Sequence, residues 1–301
     1  MSFRDMGFNW TTMNDIPQDL RSLVRVDVFN SSTAEAKKRI KSYDSFAHKG
    51  TRGHAAVAAG SSGMMGAAIL STSACMRSGC GKTTAIVPSS YFSLIHSTIP
   101  EALVCDREAK DIPFDSFDAL AVGPGIGSSA SSKKLLELFL STHIPLVIDA
   151  DGLNILSIEK DWITKLPQGS ILTPHHGEWE RLFFKTHDDY FKINTSVEIC
   201  NKHNINILIK GHNSIFVTPS AIFINGTGNA GMAKAGSGDV LTGILASLLA
   251  QGYSSEDAGI LGMYIHGLAG DFARDKWGED YMNATDIIHY LSAAFQSLRN
   301  G

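Results

Sequence analysis

The stretch from Asn225 to Asp239 has the residue types of a loop that binds anions. Six glycines lie between positions 226 and 243, a density that lets the backbone adopt positive φ angles and approach a ligand closely. After Asp239 the apolar residues recur at the spacing of one helix face, which predicts that a helix begins there. A helix N-terminus presents unpaired N–H groups and the positive end of a dipole, and both favour phosphate. We therefore expect a phosphate site at this loop.

Asp239 lies where that positive helix end would keep a carboxylate ionised, ready to accept a proton or to hold a metal ion. The simpler interpretation is that Gly238 and Asp239 form only a turn and a helix cap. Asn229, Lys234 and the full run of glycines favour the anion site over the simple turn. Asp239 is accordingly the candidate catalytic residue.

Polar residues also follow three short apolar segments that have the length of buried strands. They are Asp149 and Asp151 after the first segment, His175 after the second, and Lys210 after the third. Ligands of parallel sheets bind at the carboxyl ends of the strands, so these side chains are expected at one edge. From the residues alone, Asp149 fits loop capping, Asp151 is open between capping and metal contact, and His175 is open between solvent and a ligand.

Three segments resemble known motifs but fail their patterns. Gly79-Cys-Gly-Lys-Thr-Thr84 is not a Walker A loop, because Met76 stands where that motif needs its first glycine. Gly123-Pro-Gly-Ile-Gly127 lacks the further glycine of the dinucleotide fingerprint, because serine follows it. The adjacent His175 and His176 do not have the spacing of a metal pair on a helix. The glycines at 123–127 are therefore expected to form a turn at the carboxyl end of a strand, the edge at which ligands of open parallel sheets bind.

The composition is that of an ordinary globular protein with a large core, since 44% of the 301 residues are hydrophobic and 19% are charged. The net charge of -4 argues against a general nucleic-acid or membrane-surface binder. The four cysteines have the spacing of neither a zinc site nor a disulfide framework, which favours a reducing compartment. The N-terminus has no apolar leader and the longest apolar run is too short to cross a bilayer, so we expect a cytoplasmic protein.

Strand-like and helix-like segments alternate along the chain, which predicts a mostly parallel sheet with helices on both faces. The expected strands are 55–59, 84–87, 119–122, 145–148, 170–173, 205–209, 215–217 and 221–224. The expected helices are 66–76, 135–140, one beginning at Trp179, 240–249, 258–272 and 284–298. Residues 1–47 show weak periodicity and are expected to form an N-terminal extension outside the sheet, with a helix near 33–43.

Several motifs, taken together and in order, resemble one known family. They are His48-Lys-Gly-Thr-x-Gly, Gly66-Ala-Ala-Ile-Leu, Gly123-Pro-Gly125, Asp149-Ala-Asp-Gly-Leu153, Thr173-Pro-His175, Lys210-Gly211 and Asn229-x-Gly-Met-Ala-Lys-x-Gly-Ser-Gly-Asp239. Over roughly residues 45–298 the chain is similar to the ADP/ATP-dependent NAD(P)H-hydrate dehydratases of the ribokinase-like superfamily. The resemblance implies an α/β fold formed by residues 48–301. In that fold, a three-layer sandwich, a mostly parallel central sheet has helices on both faces.

The resemblance also implies which residues bind each ligand. The hydrated nicotinamide nucleotide would contact Ala67, Gly125, His175 and Asp239. ADP or ATP would be bound by Lys210, Gly211, His212, Asn213, Ser214, Asn229, Gly236, Ser237 and Gly238. Mg²⁺ is expected with the nucleotide, and the sequence assigns no residue as its ligand.

The chain departs from the family pattern at two positions. His176 stands where proline is usual, and Ala235 stands where the family commonly has the first of two glycines. These changes leave His176 without an assigned role. Residues 1–47 lie outside the resemblance and are weakly similar to the tail that joins an epimerase domain to this domain in two-headed members.

Three functions compete. The resemblance implies ADP- or ATP-dependent dehydration of (6S)-NAD(P)H-hydrate to NAD(P)H through a phosphorylated intermediate, which is a repair reaction. The alternative is a small-molecule kinase of the same superfamily, of the hydroxyethylthiazole kinase type. The third function is a nucleotide-sensing module without turnover. A homo-oligomer is expected, with a tetramer as its size, while the preferences for ADP or ATP and for NADH-hydrate or NADPH-hydrate stay open.

Overall fold

The computed structural model describes residues 32–43, 45–46, 48–186 and 188–300. Within these residues, a nine-stranded sheet crosses the molecule. Its strands are β1 (His54–Ala58), β2 (Lys82–Val87), β3 (Leu103–Asp106), β4 (Ala119–Val122), β5 (Leu146–Ile148), β6 (Ile171–Leu172), β7 (Asn206–Ile209), β8 (Ile215–Val217) and β9 (Ile222–Ile224). Their order is β3-β2-β1-β4-β5-β6-β7-β8-β9. Strands β1 to β7 are parallel, and β8 and β9 are added antiparallel at one edge. Across the sheet, the chain order of the strands falls from β3 to β1 and then rises from β4. This reversal between β1 and β4 places a crevice at their carboxyl ends.

Ten α-helices lie within the described ranges. They are α1 (Ser32–Arg39), α2 (Met65–Arg77), α3 (Phe92–Thr98), α4 (Ala130–Leu140), α5 (Ala150–Ile158), α6 (His176–Leu182), α7 (Asp189–His203), α8 (Ser237–Ala250), α9 (Ser255–Trp277) and α10 (Ala284–Asn300). None of them combines the length and the apolar character needed to cross a bilayer.

The helices form one layer on each face of the sheet. Successive residues of a strand point to opposite faces, so Ala55 and Val57 of β1 pack with α2, α8, α9 and α10. Ala56 and Ala58 pack on the other face with α4, α5, α6 and α7. Both faces of the parallel strands are buried, which explains why these strands are continuous apolar runs. The predicted three-layer α/β sandwich is confirmed.

Only part of the predicted N-terminal extension lies in the described ranges, and that part adds no strand to the sheet. Helix α1 confirms the helix expected near 33–43. After it, the Lys41 backbone N–H donates to the Tyr253 hydroxyl at 2.9 Å, and Lys41 Nζ donates to the Gly252 carbonyl at 2.6 Å. Residues 1–31 lie outside the described residues, so the assignment of 1–47 as the remnant of an epimerase-domain linker stays a prediction.

Gly123 lets the turn after β4 pack directly against the end of β5. Its φ is +135°, and a Cβ atom there would lie 1.8 Å from the Asp149 carbonyl oxygen. No other residue type fits so close an approach of two backbones. The Gly-Pro-Gly sequence therefore brings the β4 turn against Asp149.

Candidate active site

The carboxyl ends of β5, β6 and β7 meet the N-terminus of α8. Asp149 directly follows β5, and His175 follows β6. Lys210 directly follows β7 and forms an isolated parallel bridge with His175. Asp239 lies in the first turn of α8. These residues are far apart in the chain, and the parallel topology brings them to one edge of the sheet.

Asp149 is a buried carboxylate, only 1% exposed, that joins three elements. Its Oδ1 accepts hydrogen bonds from the Ala150 backbone N at 2.9 Å and from Lys210 Nζ at 2.6 Å. Its Oδ2 accepts a hydrogen bond from Thr242 Oγ1 at 2.8 Å. The capping role expected for Asp149 is confirmed, because it caps α5. It also fixes α8 to the ends of β5 and β7.

Lys210 is a cation held among carboxylates. Besides its bond to Asp149, its Nζ lies 3.6 Å from Glu178 Oε2. Burial lowers the pKa of Lys210, but the attraction of Asp149, Glu178 and Asp239 outweighs burial and leaves its pKa above the usual value. The ammonium is therefore charged at neutral pH. A Cβ atom on Gly238 would lie 3.4 Å from Nζ, so this charge sits beside the first turn of α8.

Asp239 has the most distinctive carboxylate of this cluster. It is partly buried, and no residue in the described ranges donates a hydrogen bond to it, so its oxygens can accept one from a ligand. Burial raises its pKa to about 6, and the charges of Asp149 and Asp151 add to this, while Lys210 opposes it. Asp239 is therefore easier to protonate than an ordinary aspartate, yet it stays mostly ionised at pH 7, as expected from its position at the helix end. A pKa near 6 suits a general base.

The start of α8 carries backbone donors without partners. Gly236, the residue before the helix, has φ of +91°, and no side chain caps the helix. Within the described part of the chain, the N–H groups of Gly238 and Asp239 donate to no carbonyl or side chain outside the helix. Because these groups sit beside the Lys210 ammonium, the site can stabilise negative charge.

His175 caps helix α6 and faces the same crevice. Its Nδ1 accepts hydrogen bonds from the backbone N of Gly177 at 3.0 Å and of Glu178 at 3.4 Å, and Glu178 Oε2 accepts one from the His175 backbone N at 2.8 Å. This reciprocal arrangement is a capping box. Glu178 lies three residues after His175, which is the spacing of that motif in a sequence. Burial lowers the pKa of His175. The positive charges of Lys210 and Arg181 lower it further, and the negative charge of Glu178 opposes them. The ring is thus neutral at pH 7, and its side chain is 54% exposed.

Replacement of His175 separates its capping role from ligand contact. His175→Ala is expected to lower stability by about 1 kcal/mol through loss of the cap. His175→Asn keeps a capping acceptor and should retain that stability. If the ring contacts the substrate, both variants raise the KM for hydrate several-fold, which steady-state kinetics with parallel thermal melts will measure. An unchanged KM in both variants would contradict the contact.

The family model for NAD(P)H-hydrate dehydratase matches residues 55–293 of the chain. The chain belongs to this family. It is 38% identical to an ADP-dependent (S)-NAD(P)H-hydrate dehydratase of Neisseria meningitidis, over 77% of this chain and 80% of that protein. The resemblance drawn from the sequence motifs is thereby confirmed.

Two solved structures carry the same architecture. An ADP/ATP-dependent NAD(P)H-hydrate dehydratase of Bacillus subtilis, co-crystallized with ATP and Mg²⁺, has a TM-score of 0.77 and 26% identity, covering 90% of this chain and 99% of that one. A ribokinase-like superfamily protein of Enterococcus faecalis has a TM-score of 0.78 and 26% identity, covering 91% and 99%. The chain also matches longer bifunctional NAD(P)H-hydrate repair enzymes, and it spans about half of their length, from 51% to 57%.

The residues that the dehydratase family pattern implies for the substrate fall into two neighbouring groups. Ala67, in the first turn of α2, lies beside Gly125, where a Cβ atom would be 3.1 Å from the Ala67 Cβ. Both belong to the crevice between β1 and β4. His175 and Asp239 belong to the cluster at β5 to β7. Their contact with substrate stays a prediction.

The implied nucleotide residues also lie together. The turn 210–214 between β7 and β8 contacts the start of the glycine loop, where the Asn225 backbone N donates to the Ser214 carbonyl at 2.9 Å. Gly211 and His212 are exposed. The side chains of Lys210 and Asn229 are bonded within the protein: Asn229 Nδ2 donates to Asp271 Oδ1, and its Oδ1 accepts from the Gly231 backbone N, both at 3.0 Å. In this structure, Asn229 anchors the loop to α9.

Sequence reasoning missed His266 and left His176 without a role. His266 of α9 lies with its Nε2 3.3 Å from Ser237 Oγ, and burial lowers its pKa to about 4, so it is a neutral neighbour of the loop. His176, which replaces the usual proline, accepts a hydrogen bond from Lys192 Nζ at 2.6 Å. Lys192 is 2% exposed and belongs to α7. His176 therefore ties α6 to α7 rather than facing the crevice cluster.

Proposed function

We propose that this protein catalyses the ADP- or ATP-dependent dehydration of (6S)-NAD(P)H-hydrate to NAD(P)H. The observation that carries the proposal is the Asp239 carboxylate, free of partners within the described residues and with a pKa near 6, at the uncapped start of α8. A hydroxyl group and a terminal phosphate can meet there, because the base, the free amides and the Lys210 ammonium share one edge of the sheet. Membership of the dehydratase family supports the choice of substrate.

In the proposed first step, the hydroxyl on C6 of the hydrated ring becomes a phosphate ester. Asp239 accepts the hydroxyl proton as the oxygen attacks the terminal phosphorus, and the bond between that phosphorus and its bridging oxygen breaks. The amides at the start of α8 and the nearby Lys210 charge stabilise the transferring phosphoryl group. Catalysis at this step is mostly positioning and neutralisation of charge.

In the second step, the phosphate leaves from C6. Hydroxide is a poor leaving group at neutral pH and phosphate is a good one, which explains why a nucleotide is consumed. The lone pair of the ring nitrogen expels the phosphate, and C5 then gives up a proton to restore the double bond of the dihydronicotinamide. With ADP the products are NAD(P)H, AMP, inorganic phosphate and one proton.

Mg²⁺ is the cofactor that we propose, and the residues fit an ion that arrives with the nucleotide. Within the described residues, no group of three His, Cys, Asp or Glu side chains could hold a metal ion. The Asp149 oxygens are occupied by protein donors, whereas the Asp239 oxygens accept no hydrogen bond from the part of the chain that the structure describes. Mg²⁺ commonly binds through substrate phosphates and one or two carboxylates, and there it neutralises phosphate charge.

The test is an assay of hydrate with ADP and ATP side by side. Dehydration predicts loss of the hydrate absorbance, return of the absorbance band of the reduced cofactor, and release of phosphate in equal amount. A stable phosphorylated product without that band would favour the small-molecule kinase. Absence of hydrate-dependent phosphate release would favour a module that only binds nucleotide. The ratio of the dehydration rate with ADP to the rate with ATP also gives the nucleotide preference.

We also propose that the protein is cytoplasmic and assembles as a homo-oligomer, with a tetramer as its expected size. The four cysteines are free, which supports a reducing compartment. Strand β3 is an edge strand whose Leu103 is 48% exposed, and an exposed apolar strand edge supports a contact between subunits. Sedimentation equilibrium measures the size directly.

A further inference from the structure

We propose that Arg107 binds the diphosphate of the hydrated dinucleotide, an inference that rests on the proposed function. Arg107 directly follows β3, the edge strand of the sheet, and extends from there to the crevice between β1 and β4. No motif of the sequence includes it. Its position follows only from the fold.

The Arg107 guanidinium joins the two turns that border this crevice. Its Nη1 donates to the Gly60 carbonyl at 3.3 Å, after β1, and to the Ile126 carbonyl at 3.4 Å, after β4. Its Nη2 donates to Ser131 Oγ at 3.2 Å, in the first turn of α4. Ile126 directly follows Gly125, which the family pattern assigns to the substrate. The cation is thus fixed beside the expected nicotinamide site.

The charge of Arg107 has no counter-ion in the described part of the chain. No carboxylate oxygen there lies within 4.0 Å of its guanidinium nitrogens, and its three acceptors are neutral groups. Arginine has five N–H donors, so two remain without an acceptor among these residues, one of them the buried Nε. The side chain is partly exposed, which leaves the charge accessible to a ligand. An anion of the substrate would supply the missing charge partner.

The diphosphate is the anion that fits this position. It is separated from the nicotinamide ring by one ribose, whereas the 2′-phosphate of NADPH-hydrate lies on the far ribose. The short path from Gly125 through Ile126 to Arg107 therefore suits the nearer group. A charge-assisted hydrogen bond from arginine to a phosphate oxygen is stronger than one between neutral groups.

The experiment compares Arg107→Gln with wild type on two substrates. One is NADH-hydrate, and the other is the hydrate of reduced nicotinamide riboside, which has the same ring and no phosphate. We expect kcat/KM for NADH-hydrate to fall by about 10-fold or more, the loss of one charge-assisted contact, and kcat/KM for the riboside hydrate to change less than about 2-fold. Arg107→Lys should show an intermediate loss. Arg77→Gln removes the same charge from the exposed end of α2 and should behave as wild type.

A purely structural role of Arg107 would reduce kcat/KM for both substrates equally, and that result overturns the proposal. No loss on either substrate, a loss confined to NADPH-hydrate, or a higher KM for ADP alone overturns it too. Binding of the product NADH by wild type and Arg107→Gln, followed by calorimetry, gives a readout without turnover. Turnover by wild type decides the proposed function, and the difference between variants decides the role of Arg107.

Discussion

Asp239→Asn is expected to lower kcat for hydrate dehydration by about 10² or more while the protein stays folded. Asparagine has the shape of aspartate but cannot accept the proton of the C6 hydroxyl. The Asp239 carboxylate receives no hydrogen bond from the described residues, so the substitution removes no hydrogen bond among them. Single-turnover measurements with ADP and NADH-hydrate will show whether the loss lies in phosphoryl transfer.

The same substitution is expected to raise stability at pH 7. The pKa of Asp239 is raised from 3.8 to about 6 in the folded protein, so stability is lost as pH rises through this window. Removing the charge should raise the free energy of unfolding by about 1 to 3 kcal/mol, which denaturant unfolding at pH 7 measures. The difference between Asp239→Asn and wild type should disappear as pH falls below 3.8, where the carboxyl is protonated in both the folded and the unfolded state. Such a gain in stability with a loss of activity is typical of a catalytic group.

Asp161→Asn is the matched control, because it also removes one carboxylate. Asp161 is exposed and is distant from Asp239 in the sequence. It should leave both turnover and stability within experimental error. Near-normal turnover in folded Asp239→Asn would refute the role of Asp239 as the base. The remaining site would then have to act by positioning and charge alone.

The glycine loop and its helix were predictable because both depend on residues that are close in the chain. The density of glycine before Asp239 and the apolar period after it locate the start of α8 to within a few residues. The buried strands were predictable for the same reason, since each is a short apolar run. The raised pKa of Asp239 was not, because Asp149 and Lys210 reach it only through the folded sheet.

Four elements escaped prediction for physical reasons. Strand β3 lies at the edge of the sheet, and its apolar run is short, because Asp106 ends it and the first residue, Leu103, is 48% exposed. Helix α7 buries Lys192 and Ser196 beside Ile193 and Cys200, which hides its apolar period. Helices α3 and α5 are short. Buried polar residues can be recognised only when their partners are known.

Lys210→Met is expected to destabilise the protein and to move its pH profile. Lys210 is the charged partner of Asp149, which is 1% exposed. Removing one partner of a buried ion pair costs about 3 to 5 kcal/mol, because the other charge stays buried. For a domain of this size that corresponds to a fall in Tm of roughly 10 °C. Lys210→Arg keeps the charge and should lose much less.

The kinetic effect of Lys210→Met follows from the sign of the electrostatic interaction. A base with a pKa of about 6 is protonated as pH falls, so kcat/KM of the wild type should decline below about pH 6. The Lys210 charge lowers the pKa of Asp239, and its removal must therefore move this decline to higher pH and reduce activity at pH 7. A profile of kcat/KM against pH for wild type, Lys210→Met and Lys210→Arg measures the shift. If Lys210→Met is folded and its decline stays at the wild-type pH, the Asp239 carboxylate is not the group that limits the reaction in acid.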